Sequence, residues 1–206
     1  MSDSPASDGP VDQGRRTWVA ITCGAGAIGG VAAAVPFVST FAPSERAKAA
    51  GAAVEADISA LKPGEKMVVE WRGKPVWIMR RTPEQLASLA KTESQVADPK
   101  SERNPSELTP EYARNQFRSY ENHKDVLVAV GICSHLGCSP TDKLQPGPQP
   151  SLPADWQGGF LCPCHGSTFD MAGRVFKNKP APDNLEVPPH MYLSDTRLVI
   201  GEDKKA

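Results

Sequence analysis

The chain has 206 residues, 39% of them hydrophobic, and 23 basic against 24 acidic residues give a formal net charge of −1. That length suits one domain with appendages, and the near-neutral balance excludes the broad basic surface on which nucleic-acid binding depends. Twenty prolines and 17 glycines argue against a helical bundle and for a domain of short strands and loops.

Taken from the N-terminus, residues 1–14 are rich in Ser, Asp, Gly and Pro and are expected to be disordered. Arg15-Arg16 followed by Thr17-Trp18-Val19 resembles a twin-arginine export signal, with Trp18 where Phe is more usual. Residues 1–16 therefore read as a cytoplasmic tail. No charged residue occurs from Thr17 to Ser44, and the segment is long enough to cross the roughly 30 Å hydrocarbon core as a helix. The expectation is one transmembrane anchor over 17–43, in which Cys23 is an apolar filler. Arg15 and Arg16 on one side are matched by Arg46 and Lys48 on the other, so charge counting does not orient the anchor. The Ala- and Gly-rich stretch 44–57 reads as a tether, and 58–206 as a soluble head.

Within the head, short strand-like segments are expected at 67–71, 76–79, 126–132, 159–161, 175–176, 191–193 and 198–200. Gly, Pro, Asn and Asp separate most of them, the pattern of an antiparallel all-β domain. Thr82-Pro83-Glu84-Gln85 carries an N-cap, a proline at the first helical position and a capping-box glutamine, which predicts a short helix through Lys91. Thr109-Pro110-Glu111 is a second candidate start. The polar stretch 94–108 reads as an exposed loop, Trp71, Trp77 and Trp156 as core, and His123 and His190 as surface residues.

The chemistry lies between Cys133 and Phe169. CSHLGC (133–138) and CPCHGSTF (162–169) hold four of the five cysteines and two of the four histidines. Thiol and imidazole groups on two Gly-containing turns suit iron or zinc gripped from two sides. Cys162 and His165, spaced C-x-x-H, form the better pair on the second turn. On the first, Cys133 with His135 and His135 with Cys138 both remain open. One cysteine per turn is left over, and such a pair reads as a crosslink between the turns.

C-x-H-x-G-C followed by C-P-C-H-G-S resembles the Rieske iron–sulfur proteins. The resemblance implies an all-β head, a Rieske-type antiparallel β domain with an inserted cluster-binding subdomain at about 131–182, preceded by one N-terminal transmembrane helix. It implies one 2Fe-2S cluster, with Cys133 and Cys162 on one iron and His135 and His165 on the other. It makes Cys138 and Cys164 a disulfide, which the quinol-oxidising subunits of cytochrome bc complexes carry and Rieske ferredoxins usually lack. A disulfide in turn calls for an oxidising compartment. The implied setting is a bacterial inner membrane with the head in the periplasm. The implied partners are the cytochrome b and cytochrome c1 subunits and ubiquinol, in a dimeric complex.

The same resemblance gives His165 the hydrogen bond to the quinol, with His135 as the other exposed imidazole. Ser167 becomes a donor to a bridging sulfide. Phe169 stands where many relatives have Tyr, so one donor to a ligand sulfur is absent. Leu136 is expected to shield the cluster, and Lys179-Pro180-Ala181-Pro182 to form the third loop that covers it. Three rival readings share some of these features: a structural Cys2His2 zinc clip, an electron-carrier subunit of an arsenite-oxidase-type enzyme, and an oxygenase. The zinc clip leaves the paired spare cysteines unexplained. The carrier does not call for a membrane span followed by a tether. The oxygenase has only His123 and His190 for a second iron site.

Overall fold

A computed structural model describes residues 12–44, 51–103 and 108–203. The expected disorder of 1–14 falls mostly on 1–11, and the centre of the 44–57 tether, with Arg46 and Lys48, on 45–50; both lie outside the described residues.

The chain divides into two units, 1–48 and 49–206. In the first, helix α1 spans Gln13–Ser39, with a mean hydropathy of 1.8 over its most apolar window. At 1.5 Å per residue it is about 40 Å long, enough to cross a bilayer core. It starts four residues earlier than the expected anchor because Asp12 caps it, Oδ1 accepting from the amides of Gly14 at 2.9 Å and Arg15 at 3.3 Å. It stops short of residue 43 because Pro43 disfavours helical backbone at Ala42.

The second unit is built on three three-stranded antiparallel sheets. Strands β2 (Lys66–Trp71), β3 (Lys74–Arg80) and β4 (Val126–Val130) form one. Strands β1 (Val54–Asp57), β9 (Arg197–Ile200) and β8 (His190–Ser194) form another, in that order. The third comprises β5 (Thr141–Lys143), β6 (Gly159–Leu161) and β7 (Thr168–Phe169). Arg72 and Gly73, both at positive φ, make the two-residue β2–β3 turn that suits the twist of a hairpin.

The β2–β3–β4 sheet lies between the other two layers. Val76, Ile78, Val126, Val128 and Val130 pack with Ala56, Ile58, Leu198 and Ile200 on one face. Trp77, Met79, Leu127 and Ala129 pack with Phe160, Phe169, Cys133 and Cys162 on the other. A strand covered on both faces loses the polar alternation of a half-exposed one, and β4 is accordingly VLVAV, buried throughout. Helix α2 (Pro83–Thr92) has the expected capping box: the Gln85 amide donates to Thr82 Oγ1 at 3.3 Å and the Thr82 amide to Gln85 Oε1 at 2.9 Å.

Several expectations need correction. The last four residues of the 44–57 tether are strand β1, paired with β9, and Ala56 is buried in the core. The 94–108 stretch is not simply an exposed loop: Val96 is buried and bridges Phe176, and Ser101 is buried, while 104–107 lie outside the described residues. Val175 and Phe176 make isolated bridges to Phe169 and Val96 rather than a strand. The turn after Pro110 is 3-10, Glu111–Ala113. Strands β1, β5 and β7 are too short or too polar to show a period. Trp71, Trp77 and Trp156 are buried, as expected.

His190 is not a surface residue. It is buried, its ring is edge-on to Tyr112 and Tyr120, and its carbonyl accepts from both phenols at 3.0 and 2.8 Å. His123 is half-buried and stacks on Tyr192 at 3.9 Å between ring centroids. Burial pushes His190 down to about 4, against a carbonyl hydrogen bond to Pro188 and the charge of Asp203, which pull it up. A histidine that stays neutral in the fold but takes a proton when unfolded contributes its full stability above the unfolded value near 6.5, and loses it as pH falls towards 4. The head is expected to lose up to about 3 kcal/mol over that window through this group. Chemical unfolding of wild type and His190→Asn between pH 7 and pH 4 checks this: the variant's stability should fall less steeply, and parallel curves would show that His190 is not the source.

Candidate functional site

The two cysteine-bearing turns lead out of different sheets. The first follows β4 through Gly131 and Ile132, and the second follows β6 directly at Cys162. Their backbones close in the same way. The Cys133 amide donates to the Cys138 carbonyl at 2.8 Å, and the Gly137 amide to the Cys133 carbonyl at 3.1 Å. In the second turn, the Cys162 amide donates to the Ser167 carbonyl at 2.7 Å, and the Gly166 amide to the Cys162 carbonyl at 3.0 Å. Gly137 and Gly166 occupy equivalent places with φ of 81° and 75°, a conformation that side chains resist.

This equivalence aligns Cys133 with Cys162, His135 with Cys164, Leu136 with His165, and Cys138 with Ser167. The turns share a frame while their chemistry is offset by one residue. Cys138 and Cys164 form a disulfide, which leaves Cys133 and Cys162 as the free thiols of the head among the described residues, both buried. The first-turn alternative that the spacing left open is thereby closed: Cys138 is not a free ligand. Sγ of Cys162 lies within 4.8 Å of both disulfide sulfurs, but those sulfurs carry no ionisable thiol, so the three do not make a metal site.

The imidazoles of His135 and His165 meet edge to face, 4.8 Å between centroids. His165 is exposed, whereas His135, expected to be the other exposed imidazole, is half-buried. Leu136, between the turn's functional residues, is 71% exposed. The site therefore has a buried sulfur side and an outward nitrogen side. Burial pushes the Cys133 thiol up, the His135 backbone amide pulls it down, the neighbouring Cys162 raises it and the Ser167 hydroxyl lowers it.

The third loop ties to both turns. Ser134 Oγ donates to the Asp183 carbonyl at 2.6 Å, and the Ala181 amide donates to Ser167 Oγ at 2.9 Å. Ser167 and Phe169 are fully buried. Sequence reasoning singled out Ser167 but missed Ser134, whose role depends on a partner 49 residues away.

It also missed three arginines. Arg81, Arg118 and Arg174 are each buried, a rare state for arginine, and all serve the turn after β7. Arg81 donates to the Met171 carbonyl, and Arg118 to those of Ala172 and Gly173. Arg174 Nε pairs with Asp170 at 2.8 Å, and Asp170 Oδ1 accepts the amides of Ala172 and Arg174, each at 2.9 Å. Burial lowers Arg81 and Arg118 to about 10, with Asp170 the largest opposing charge, so both remain cationic at neutral pH.

The disulfide closes a loop of sequence separation 26, a constraint worth about 3 to 4 kcal/mol in the chain-entropy treatment. The Cys138→Ala/Cys164→Ala double variant is expected to unfold with stability reduced by about that amount. Denaturant titration of the oxidised and double-variant proteins measures it, and equal midpoints would remove the disulfide from the account of what holds the turns together.

The Rieske [2Fe-2S] domain family matches residues 95–189. The ubiquinol-cytochrome c reductase iron-sulfur subunit of Allochromatium vinosum is 55% identical over 190 residues, covering 92% of this chain and 89% of that one. The subunit of the same name from Bradyrhizobium diazoefficiens is 36% identical over 206 residues, covering 98% and 100%. That of Rhodospirillum rubrum is 38% identical over 180 residues, 87% of each. A likeness of this strength over more than nine-tenths of the chain, added to the paired turns, makes this chain a member of the Rieske 2Fe-2S family, in the branch of the ubiquinol-cytochrome c reductase iron–sulfur subunits.

Proposed function

We propose that this chain is the iron–sulfur subunit of a cytochrome bc1 complex in a bacterial inner membrane. It oxidises ubiquinol and passes one electron to the cytochrome c1 subunit, with the cytochrome b subunit as its other partner in a dimeric assembly. The observation that carries the reading is a buried thiol pair set against an outward imidazole pair, across two turns of one hydrogen-bond pattern joined by a disulfide.

The donor set fits a 2Fe-2S cluster. Burial resists a bare thiolate at Cys133, which a bound cation offsets, and thiolate with imidazole suits iron. Cys133 and Cys162 would hold one iron, and His135 and His165 the other. Bound there, the cluster supplies a one-electron acceptor whose potential lies above that of all-cysteine clusters because two ligands are neutral imidazoles.

The rest falls to the chain's own residues. His165, the more exposed imidazole, accepts the hydrogen bond of the quinol hydroxyl and then its proton, on the ring nitrogen that metal leaves free. His135 lies beside it, the two rings edge to face. Leu136 gives the quinol an apolar contact and keeps water from it. Ser167, held by the Ala181 amide, directs its hydroxyl at the sulfur side, and the third loop closes over it. Helix α1 is the anchor, and 40–53 join it to the head. Arg15-Arg16 is the export signal, and the disulfide is suited to the oxidising periplasm.

Purified membranes bearing this chain are expected to show the EPR signal of a Rieske cluster and to yield it together with b-type and c-type haem. His165→Leu should lose that signal and reduce quinol-dependent cytochrome c reduction to background with both haems still present. Retained turnover would exclude His165 from the quinol contact, and a colourless protein with one zinc would exclude the cluster.

Phe169 offers no hydroxyl where a Tyr would donate to a ligand sulfur. Phe169→Tyr is expected to raise the midpoint potential by about 40 mV, the equivalent of one net hydrogen bond of about 1 kcal/mol for one electron. A redox titration followed by EPR reads it, and an unchanged or lower value would refute the account.

A further inference from the structure

We infer that Lys66, Trp77, Phe160 and Asp142 form a positioning device that fixes the separation of the two cysteine turns at their roots. The disulfide fixes them at their tips. The part of this inference that concerns the metal centre rests on the proposed cluster function; the part that concerns the turns does not.

The turns need such a device because they leave different sheets. Strand β4, before the first turn, belongs to the β2–β3–β4 sheet, and β6, before the second, to the β5–β6–β7 sheet. No strand pairing joins these sheets among the described residues, so side chains must set their spacing. One indole stands at both roots. The Trp77 ring lies so close to Gly131, two residues before Cys133, that a Cβ there would come within 2.2 Å of Cε2 and Nε1. The same ring is 4.9 Å from that of Phe160, two residues before Cys162, with the planes tilted by 35°. Gly131 is thus required by the approach of the ring rather than by backbone conformation.

A cation closes the device from outside the core. Lys66 Nζ sits 4.2 Å from the centroid of Trp77 and 5.8 Å from that of Phe160. It also forms an ion pair with Asp142, which is in register with Phe160 across β5 and β6. One ammonium therefore spans from β2 of one sheet to β5 of the other, over the faces of both rings. The lysine side chain is only 17% exposed, so its attraction to the ring faces is partly protected from solvent. The interaction needs a positive charge at that place, which arginine also supplies and methionine does not.

Two readouts on the full-length protein in detergent test this. In apoprotein with the disulfide intact, Lys66→Met is expected to speed alkylation of the Cys133 and Cys162 thiols by iodoacetamide about tenfold, and Lys66→Arg to restore the wild-type rate. In loaded protein, Lys66→Met and Trp77→Phe should broaden the EPR features as the turn spacing becomes distributed. Leu198→Ala, a truncation in the core between the central β2–β3–β4 sheet and the β1–β9–β8 sheet, on the face away from the turns, serves as the control. It lowers overall stability but should change neither labelling in native conditions nor line width. Wild-type labelling rates in Lys66→Met, or equal changes in the arginine and control variants, would overturn the inference. If wild type gave no Rieske signal, the cluster reading would fail, and the labelling rates would still decide this one.

Discussion

The burial of β3 on both faces is the constraint from which the head follows. Val76 and Ile78 point into one core and Trp77 and Met79 into the other, so a single strand commits the chain to three layers. The side with β1, β9 and β8 is a mostly aliphatic core that also takes in Trp71. The other side contains the two free cysteines of the site and the aromatic rings at the roots of their turns. A rigid central layer matters here because the site is made by loops, and loops hold a geometry only as well as the elements beneath them.

The site achieves asymmetry from two nearly identical frames. Each turn returns its first cysteine amide to a carbonyl five residues on and places glycine before that acceptor. Shifting the histidine by one position between the turns, and filling the vacated places with Cys164 and Leu136, turns equal backbones into unequal chemistry. Thiols face inward, where low dielectric favours a neutral or metal-compensated sulfur. The imidazoles lie on the outward side, His165 exposed and His135 half-buried.

The second turn is backed by a dense polar core. Three buried guanidiniums hold the carbonyls of 171–173 and the Asp170 carboxylate, and of their buried donors only Arg81 Nε goes without a partner among the described residues. Removing one member would leave the others unpaired in low dielectric, which is more costly than the interaction itself is favourable.

By itself the sequence determined the paired turns with their thiol and imidazole groups, the apolar helix, the capping box of α2 and most of the longer strands. These are local: thiol and imidazole have metal affinity by their own chemistry, an uncharged run of that length is a membrane helix candidate, and Thr82 needs only Gln85 three residues away. What the tertiary structure alone decided depends on distant partners. Strand β1 is recognisable only through β9, 142 residues on at Glu55 and Arg197. The choice of Cys138 over Cys133 for the disulfide, which the resemblance implies and the spacing leaves open, follows physically only once the second turn is placed. Arg81, Arg118, Arg174 and His190 look like surface residues until the groups that desolvate and hydrogen-bond them are brought together by folding. Gly131 reads as a loop residue until the Trp77 ring is found where its side chain would be.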